Sequence, residues 1–147
     1  FYGPMGYDIG NVIGNLFFSW GNKVFTGAGE EQTQAVRSLI ARLCDLTAEK
    51  LSEKYDEIVT FPLYRTEGFK KAYLDGVMAD SYGYAGTEII RRVVGDSKVM
   101  EVTSVTDPAQ RIPMERALIK MGIFLIKHRG QGLTGQEVVR AFDMILA

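Results

Sequence analysis

Two adjacent arginines, Arg91 and Arg92, are the side chains of this 147-residue sequence best suited to holding a small, oxygen-rich ligand. Each guanidinium carries five N–H donors in a planar fork that can bind two oxygen atoms at once. Gly83 and Gly86 precede the pair and would let a ligand or a bent backbone come close. Glu88 lies three and four residues before the arginines, so exposed ion pairs on one helix explain the same pattern. Both interpretations stay open, and the spacing alone favours the ion pairs.

Asp8 is the second candidate, because it is the only acid among the first 29 residues. A carboxylate buried in so apolar a segment needs hydrogen-bond donors, since burial without them is very costly. Asp8 is therefore either the N-cap of a helix or a buried anchor that accepts backbone N–H bonds. The residues around it do not favour one alternative over the other.

Three further patterns are interpreted as structural. Residues 130–135 match the dinucleotide-binding pattern G-x-G-x-x-G, but a predicted helix rather than a strand precedes them, so we expect a loop between two helices. His128 lies in the last turn of a predicted helix, where a positive charge complements the helix dipole. Cys44 neighbours an apolar stripe and is expected to pack in the core. One His and one Cys exclude zinc sites built from these residue types, and no catalytic residue or metal ligand is assigned.

The composition is typical of a globular domain with a hydrophobic core. Hydrophobic residues make up 46% of the chain and charged residues 24%, and 17 Lys+Arg against 18 Asp+Glu give a net charge of −1. This balance offers no basic patch for nucleic acid, and the uncharged stretch between Asp8 and Lys23 is too short for a membrane span. A single cysteine suggests the reducing cytoplasm. The aromatic, Gly- and Pro-rich start, without an initiator methionine, predicts a fragment of a larger protein.

Hydrophobic periodicity predicts a mainly α fold, with residues 1–147 forming one helical domain. Helix starts are predicted near Asp8, Glu30, Glu67, Gly86, Pro108 and Gly135. Gly95 is expected to end the helix that follows Gly83 and Gly86 and carries the arginines, as a left-handed C-cap. Residues 97–105 are interpreted as an extended connector.

Two helix starts and one packing surface have specific sequence signals. Asp107 is a predicted N-cap before a proline at the first helical position, and Thr134 with Glu137 forms a predicted capping box. Glycines recur every four residues along the first helix at Gly6, Gly10 and Gly14. Such a stripe lets another backbone approach closely, so we expect another element to pack against it.

Several motifs together carry a family resemblance. The segments G-P-M-G-Y-D-I-G (residues 3–10), V-I-G-N-L (12–16), Y-A-G (84–86), I-R-R-V-V-G (90–95) and S-V-T-D-P (104–108) resemble the C-terminal part of S-methyl-5-thioribose kinases. These enzymes are similar in fold to protein kinases and aminoglycoside phosphotransferases. The resemblance therefore implies a helical C-lobe fragment of a protein-kinase-like fold.

The resemblance also implies an activity and residue roles. Kinases of this family use ATP and Mg to phosphorylate the 1-hydroxyl of S-methyl-5-thioribose in methionine salvage. Their H-G-D-like catalytic loop and metal-binding D-P-E lie upstream of the G-P-M-G block and are absent here, so this chain alone is expected to be inactive and to bind neither ATP nor Mg. Arg91 and Arg92 match the arginine pair placed against the sugar, and Asp8 matches the aspartate that anchors the catalytic loop.

The implied partners are the sugar substrate and ATP, with no nucleic acid and no membrane, and a homodimer is left open. Two alternatives stay open. One is a helical protein-interaction module in which the arginines are merely solvated. The other is a kinase of the same fold that acts on another small hydroxylated substrate.

Overall fold

The computed structural model describes residues 3–147. Phe1 and Tyr2, with which the expected fragment begins, lie outside the described residues. The described chain contains the helices α1 (Gly6–Phe25), α2 (Glu30–Ile58), α3 (Glu67–Val94), α4 (Met100–Thr103), α5 (Pro108–His128) and α6 (Gly135–Leu146), with a 3-10 turn at Arg129–Gln131. Residues 3–147 contain no β-strand, so the prediction of a mainly α fold is confirmed. None of these helices is both long and apolar enough to cross a membrane.

The glycine stripe of α1 packs directly against α3, as its spacing predicts. A Cβ atom added to Gly10 would lie 2.5 Å from the carbonyl oxygen of Ser81 and 2.9 Å from the backbone nitrogen of Ala85. A Cβ atom on Gly6 would lie 2.6 Å from the backbone nitrogen of Ser81. Only a residue without a side chain allows the two backbones to approach this closely.

The buried core joins α1 to the C-terminal helices through aromatic rings. Phe17 and Trp20 of α1 lie against Phe142 of α6, with ring centroids 5.3 Å and 4.8 Å from that of Phe142. All three side chains are almost fully buried. Burial of such a side chain contributes about 1.5–3 kcal/mol, so this cluster is a main source of the packing energy that holds the helices together.

Residues 67–94 form one continuous helix, whereas the sequence predicts two. Gly86, the expected start of the second helix, lies inside α3, where its Cβ position is 2.5 Å from the carbonyl oxygen of Gly122 in α5. Gly83 faces the guanidinium of Arg129. Each interior glycine costs about 1 kcal/mol in helix propensity, and the close packing of α3 on α5 compensates. Of the two expectations for these glycines, the close approach of another backbone is observed at Gly86, and the approach of a ligand stays a prediction.

Two predictions for the segment after α3 are wrong. Gly95 has φ −84° and ψ 179°, so it leaves the helix in an extended conformation rather than as a left-handed cap. The predicted extended connector contains the short helix α4. This helix forms because Val102 is buried in the core and the side-chain amide of Asn22 donates a 2.8 Å hydrogen bond to the carbonyl oxygen of Glu101.

The N-terminal caps predicted at Asp107 and Thr134 are confirmed. The carboxylate of Asp107 accepts a 2.9 Å hydrogen bond from the N–H of Ala109, and Thr134 and Glu137 form the reciprocal capping box. Residues 130–135 connect α5 to α6 and form the predicted loop. Cys44 is buried, which raises the pKa of its thiol to about 11. The Nδ1 atom of His128 lies 2.9 Å from the carbonyl oxygen of Phe124, within its own helix.

Candidate functional site

Arg91 and Arg92 lie in the last turn of α3, and both guanidinium groups bind the carboxylate of Glu88. The Nε and Nη2 atoms of Arg91 donate hydrogen bonds of 3.0 Å and 2.5 Å to Oε2. The Nε atom of Arg92 donates a 2.7 Å bond to Oε1. The ion pairing suggested by the residue spacing is therefore present, and we refer to these three residues as the arginine–glutamate triad.

Glu88 is buried, which the sequence analysis did not foresee. Only 7% of the residue is exposed, because it lies on the face of α3 that packs against α1. The missing side chain of Gly14 provides space for Glu88, since a Cβ atom at position 14 would lie 3.6 Å from both Cβ and Cγ of Glu88. The spacing of Ser81, Ala85 and Glu88 is the signal that could have revealed it, since residues four and seven positions apart share one helix face.

The two arginines keep Glu88 ionised despite its burial. Burial by itself raises the pKa of the carboxyl group, but the hydrogen bonds from Arg92 and Arg91 outweigh it and hold the pKa below its usual value. One carboxylate against two guanidinium groups leaves the triad with a net charge of +1. It is therefore a positively charged feature at the end of α3.

Each arginine of the triad keeps one donor atom that its partners do not use. Arg92 donates a second hydrogen bond from Nη1 to the carbonyl oxygen of Ser97, at 3.0 Å. Within residues 3–147 no hydrogen bond engages Nη1 of Arg91 or Nη2 of Arg92. The side chain of Arg91 is 55% exposed and that of Arg92 is 31% exposed. Such donors suit hydroxyl or anionic oxygen atoms of a small ligand.

Asp8 does not belong to the triad and is not an N-cap. The N-cap of α1 is Met5, and Asp8 lies in the first turn, where its charge complements the helix dipole. The residue is exposed, and its carboxylate makes no hydrogen bond or ion pair within the described part of the chain. The predicted burial is therefore not found in this chain by itself. Its role as an anchor in a larger protein stays a prediction.

One cavity in the described part of the chain is separate from the triad. It measures about 440 Å³ and lies between α2, α3 and the loop after α5, with Lys71, Asp75 and Arg129 among its charged lining residues. Among residues 3–147 there is no group of three or more His, Cys, Asp or Glu side chains that could hold a metal ion.

Comparison with known proteins identifies relatives along most of the chain. The chain is 34% identical to the methylthioribose kinase of Erwinia tasmaniensis over 137 aligned positions. The alignment covers 86% of this chain and 32% of that protein. The methylthioribose kinase of Yersinia pestis (strain Pestoides F) is also 34% identical, and its alignment covers the same fractions of the two chains. The chain is related to the methylthioribose kinases. The resemblance drawn from the motifs is thereby confirmed.

The relationship extends to a more distant kinase but to only part of each protein. The methylthioribose kinase of Geobacillus sp. (strain WCH70) is 29% identical over 141 positions, 96% of this chain and 34% of that protein. The chain thus spans about a third of the length of the curated methylthioribose kinases that it matches. No protein-family model matches the sequence.

Proposed function

We propose that this chain is the helical C-terminal part of a cytoplasmic kinase that transfers the γ-phosphate of ATP to the 1-hydroxyl of S-methyl-5-thioribose in methionine salvage. The observation that carries the proposal is its relationship to methylthioribose kinases over 86–96% of its length. ATP and Mg would be bound by segments of the complete kinase outside this chain.

Within this kinase Arg91 and Arg92 bind the sugar. In-line phosphoryl transfer depends on positioning and on stabilising charge, so donors that fix the sugar hydroxyls lower the barrier without taking part in bond making. The unengaged Nη atoms of the triad supply such donors on a group with net positive charge. Asp8 supports the catalytic loop by accepting its backbone N–H bonds, and its exposure in this chain leaves the carboxylate free for that contact.

The first experiment compares the complete protein with this chain. The reading frame is extended upstream and searched for H-G-D and D-P-E motifs, and both polypeptides are assayed for ADP release with and without methylthioribose. We expect sugar-dependent ADP release from the complete protein and none from residues 1–147. A start codon directly before Phe1 would favour the interaction module, and ADP release only with another hydroxylated compound would favour a different substrate.

The second experiment tests the arginines in the complete protein. Arg91→Lys and Arg92→Lys should each lower kcat/KM for the sugar by 10- to 100-fold, about 1.4–2.8 kcal/mol, because an ammonium group cannot reproduce a planar fork. Arg37→Lys is the matched control. Arg37 also binds a carboxylate through its fork, that of Asp143, but it lies between α2 and α6. Wild-type kinetics in both triad variants would remove the sugar-binding role.

A further inference from the structure

We infer that Glu88 is a positioning residue, whose buried carboxylate holds the guanidinium groups of Arg91 and Arg92 in the orientation that binds substrate. The inference rests on the proposed function, since it assigns the sugar contact to the two arginines. It goes further by naming the group on which their orientation depends.

The hydrogen bonds of the triad fix orientation as well as distance. Each arginine is bound through its Nε atom, the donor nearest the helix, and within residues 3–147 one Nη atom of each, Nη1 of Arg91 and Nη2 of Arg92, makes no hydrogen bond. Arg91 uses one carboxylate oxygen and Arg92 uses the other. Because adjacent residues on a helix point about 100° apart, a shared acceptor is what brings their two side chains together.

Burial makes this acceptor rigid. The stem of Glu88 lies between α1 and α3, and 92% of its side chain is shielded from solvent. A buried side chain has few alternative rotamers, so it transmits the geometry of the helix pair to the flexible arginines. Packing alone does not require a carboxylate at such a position, since hydrophobic residues of similar volume often replace buried ion pairs without loss of stability.

The two arginines depend on Glu88 to different degrees. Arg92 has a second anchor, the carbonyl oxygen of Ser97. The hydrogen bonds of Arg91 within residues 3–147 all go to Glu88, and its side chain is more exposed. Loss of the carboxylate therefore frees Arg91 more completely than Arg92, and this asymmetry distinguishes positioning from a general loss of stability.

The test is steady-state kinetics on Glu88→Gln in the complete protein, with the sugar varied at saturating ATP and ATP varied at saturating sugar. We expect kcat/KM for the sugar to fall at least tenfold, with the KM for ATP changed less than twofold. Glu88→Gln should also lower kcat/KM for the sugar by a smaller factor when Arg91 is already lysine than when Arg92 is already lysine. The reason is that removal of the carboxylate takes away all the side-chain hydrogen bonds that Arg91 makes within residues 3–147 but leaves Arg92 bound to Ser97.

Two controls separate positioning from stability. The carboxylate of Glu115 forms ion pairs with Lys98 and Arg111, at N···O distances of 3.6 Å and 3.9 Å, so it is a carboxylate with two cationic partners outside the triad. Glu115→Gln should leave kcat/KM for the sugar within twofold of wild type. Asp143→Asn removes the partner of Arg37 and should lower the melting temperature without changing the KM for the sugar.

A second variant covers the case in which Glu88→Gln does not fold. Glu88→Asp keeps the charge but shortens the side chain by one carbon–carbon bond, so the carboxylate no longer reaches both guanidinium groups, and we expect a smaller loss of kcat/KM. Wild-type kcat/KM in the folded Glu88 variants, beside losses in both arginine variants, would overturn the positioning role alone. Wild-type kcat/KM in the arginine variants would overturn the proposed function instead.

Discussion

Replacement of Gly10 by alanine should destabilise the chain, because α1 and α3 have no room for a methyl group at that point. The added Cβ atom would lie 2.5 Å from the carbonyl oxygen of Ser81, 2.7 Å from Cβ of Tyr84 and 2.9 Å from the nitrogen of Ala85. Ordinary van der Waals contact begins at 3.4 Å. All three atoms belong to the backbone of α3 or are bonded directly to it, so they cannot move aside alone. To restore ordinary contact, α1 and α3 must separate by most of an ångström.

The size of the effect follows from two opposing contributions. Overpacking of this kind costs about 1–3 kcal/mol, and contact with rigid backbone atoms places Gly10→Ala at the upper end. The higher helix propensity of alanine stabilises the folded chain by about 1 kcal/mol relative to glycine. We therefore expect a net loss of about 2 kcal/mol in the free energy of unfolding, which lowers the melting temperature by about 4–8 °C.

Two other glycines provide matched controls for the same substitution. At Gly14, one turn later in α1, the nearest atom to an added Cβ is 3.3 Å away, so the packing cost should roughly cancel the gain in helix propensity. At Gly76, on the exposed side of α3, no atom lies within 4 Å, and alanine should stabilise the chain by about 1 kcal/mol.

Urea denaturation followed by circular dichroism at 222 nm measures all three variants. The expected order of stability is Gly76→Ala above wild type, Gly14→Ala close to wild type and Gly10→Ala below it. Gly10→Ala as stable as Gly76→Ala would refute the close approach of α1 to α3.

Three further predictions concern Cys44, the capping box and Glu88. With a thiol pKa of about 11 and 1% exposure, Cys44 should react with a thiol reagent at pH 8 only after denaturation, and immediate labelling of the folded chain would contradict its burial. Thr134→Ala should lower the free energy of unfolding by about 1 kcal/mol in urea titrations, whereas the exposed Thr106→Ala should have little effect. The pKa of Glu88 is lower in the folded state than its reference value of 4.5. The ionised carboxylate therefore stabilises the folded chain fully above pH 4.5, and this stabilisation is lost as the pH falls through the folded-state pKa. Melting curves at decreasing pH should therefore show a smaller acid-induced loss of stability in Glu88→Gln than in wild type.

The sequence predicted best where a local signal decides the structure. The cap at Asp107 and the capping box at Thr134 depend on side chains within three residues of the helix start, and both are present. The glycine stripe of α1 predicted close packing because its cause, the missing Cβ atoms, is visible in the sequence. None of these features needs knowledge of distant parts of the chain.

The errors occur where a distant contact decides the structure. Gly86 signals a break in a helix, but α3 continues through it because Gly122, 36 positions later, accepts the close approach. The short helix α4 forms where Asn22 of α1 reaches the carbonyl oxygen of Glu101. Neither partner can be found by inspecting the residues around the element itself, so periodicity and propensity gave the wrong boundary.

The arginine–glutamate triad combines both situations. The spacing of Glu88, Arg91 and Arg92 predicted their pairing, whereas the burial of Glu88 depends on α1. The nearest contact to an added Cβ atom is 2.5 Å at Gly10 but 3.3 Å at Gly14, so the two helices diverge along the stripe and the stem of Glu88 fills the wider end. The packing of the two helices therefore sets the depth of the carboxylate, and the carboxylate sets the direction of the arginines. A substitution that moves α1 relative to α3 should consequently change sugar binding in the complete protein without touching either arginine.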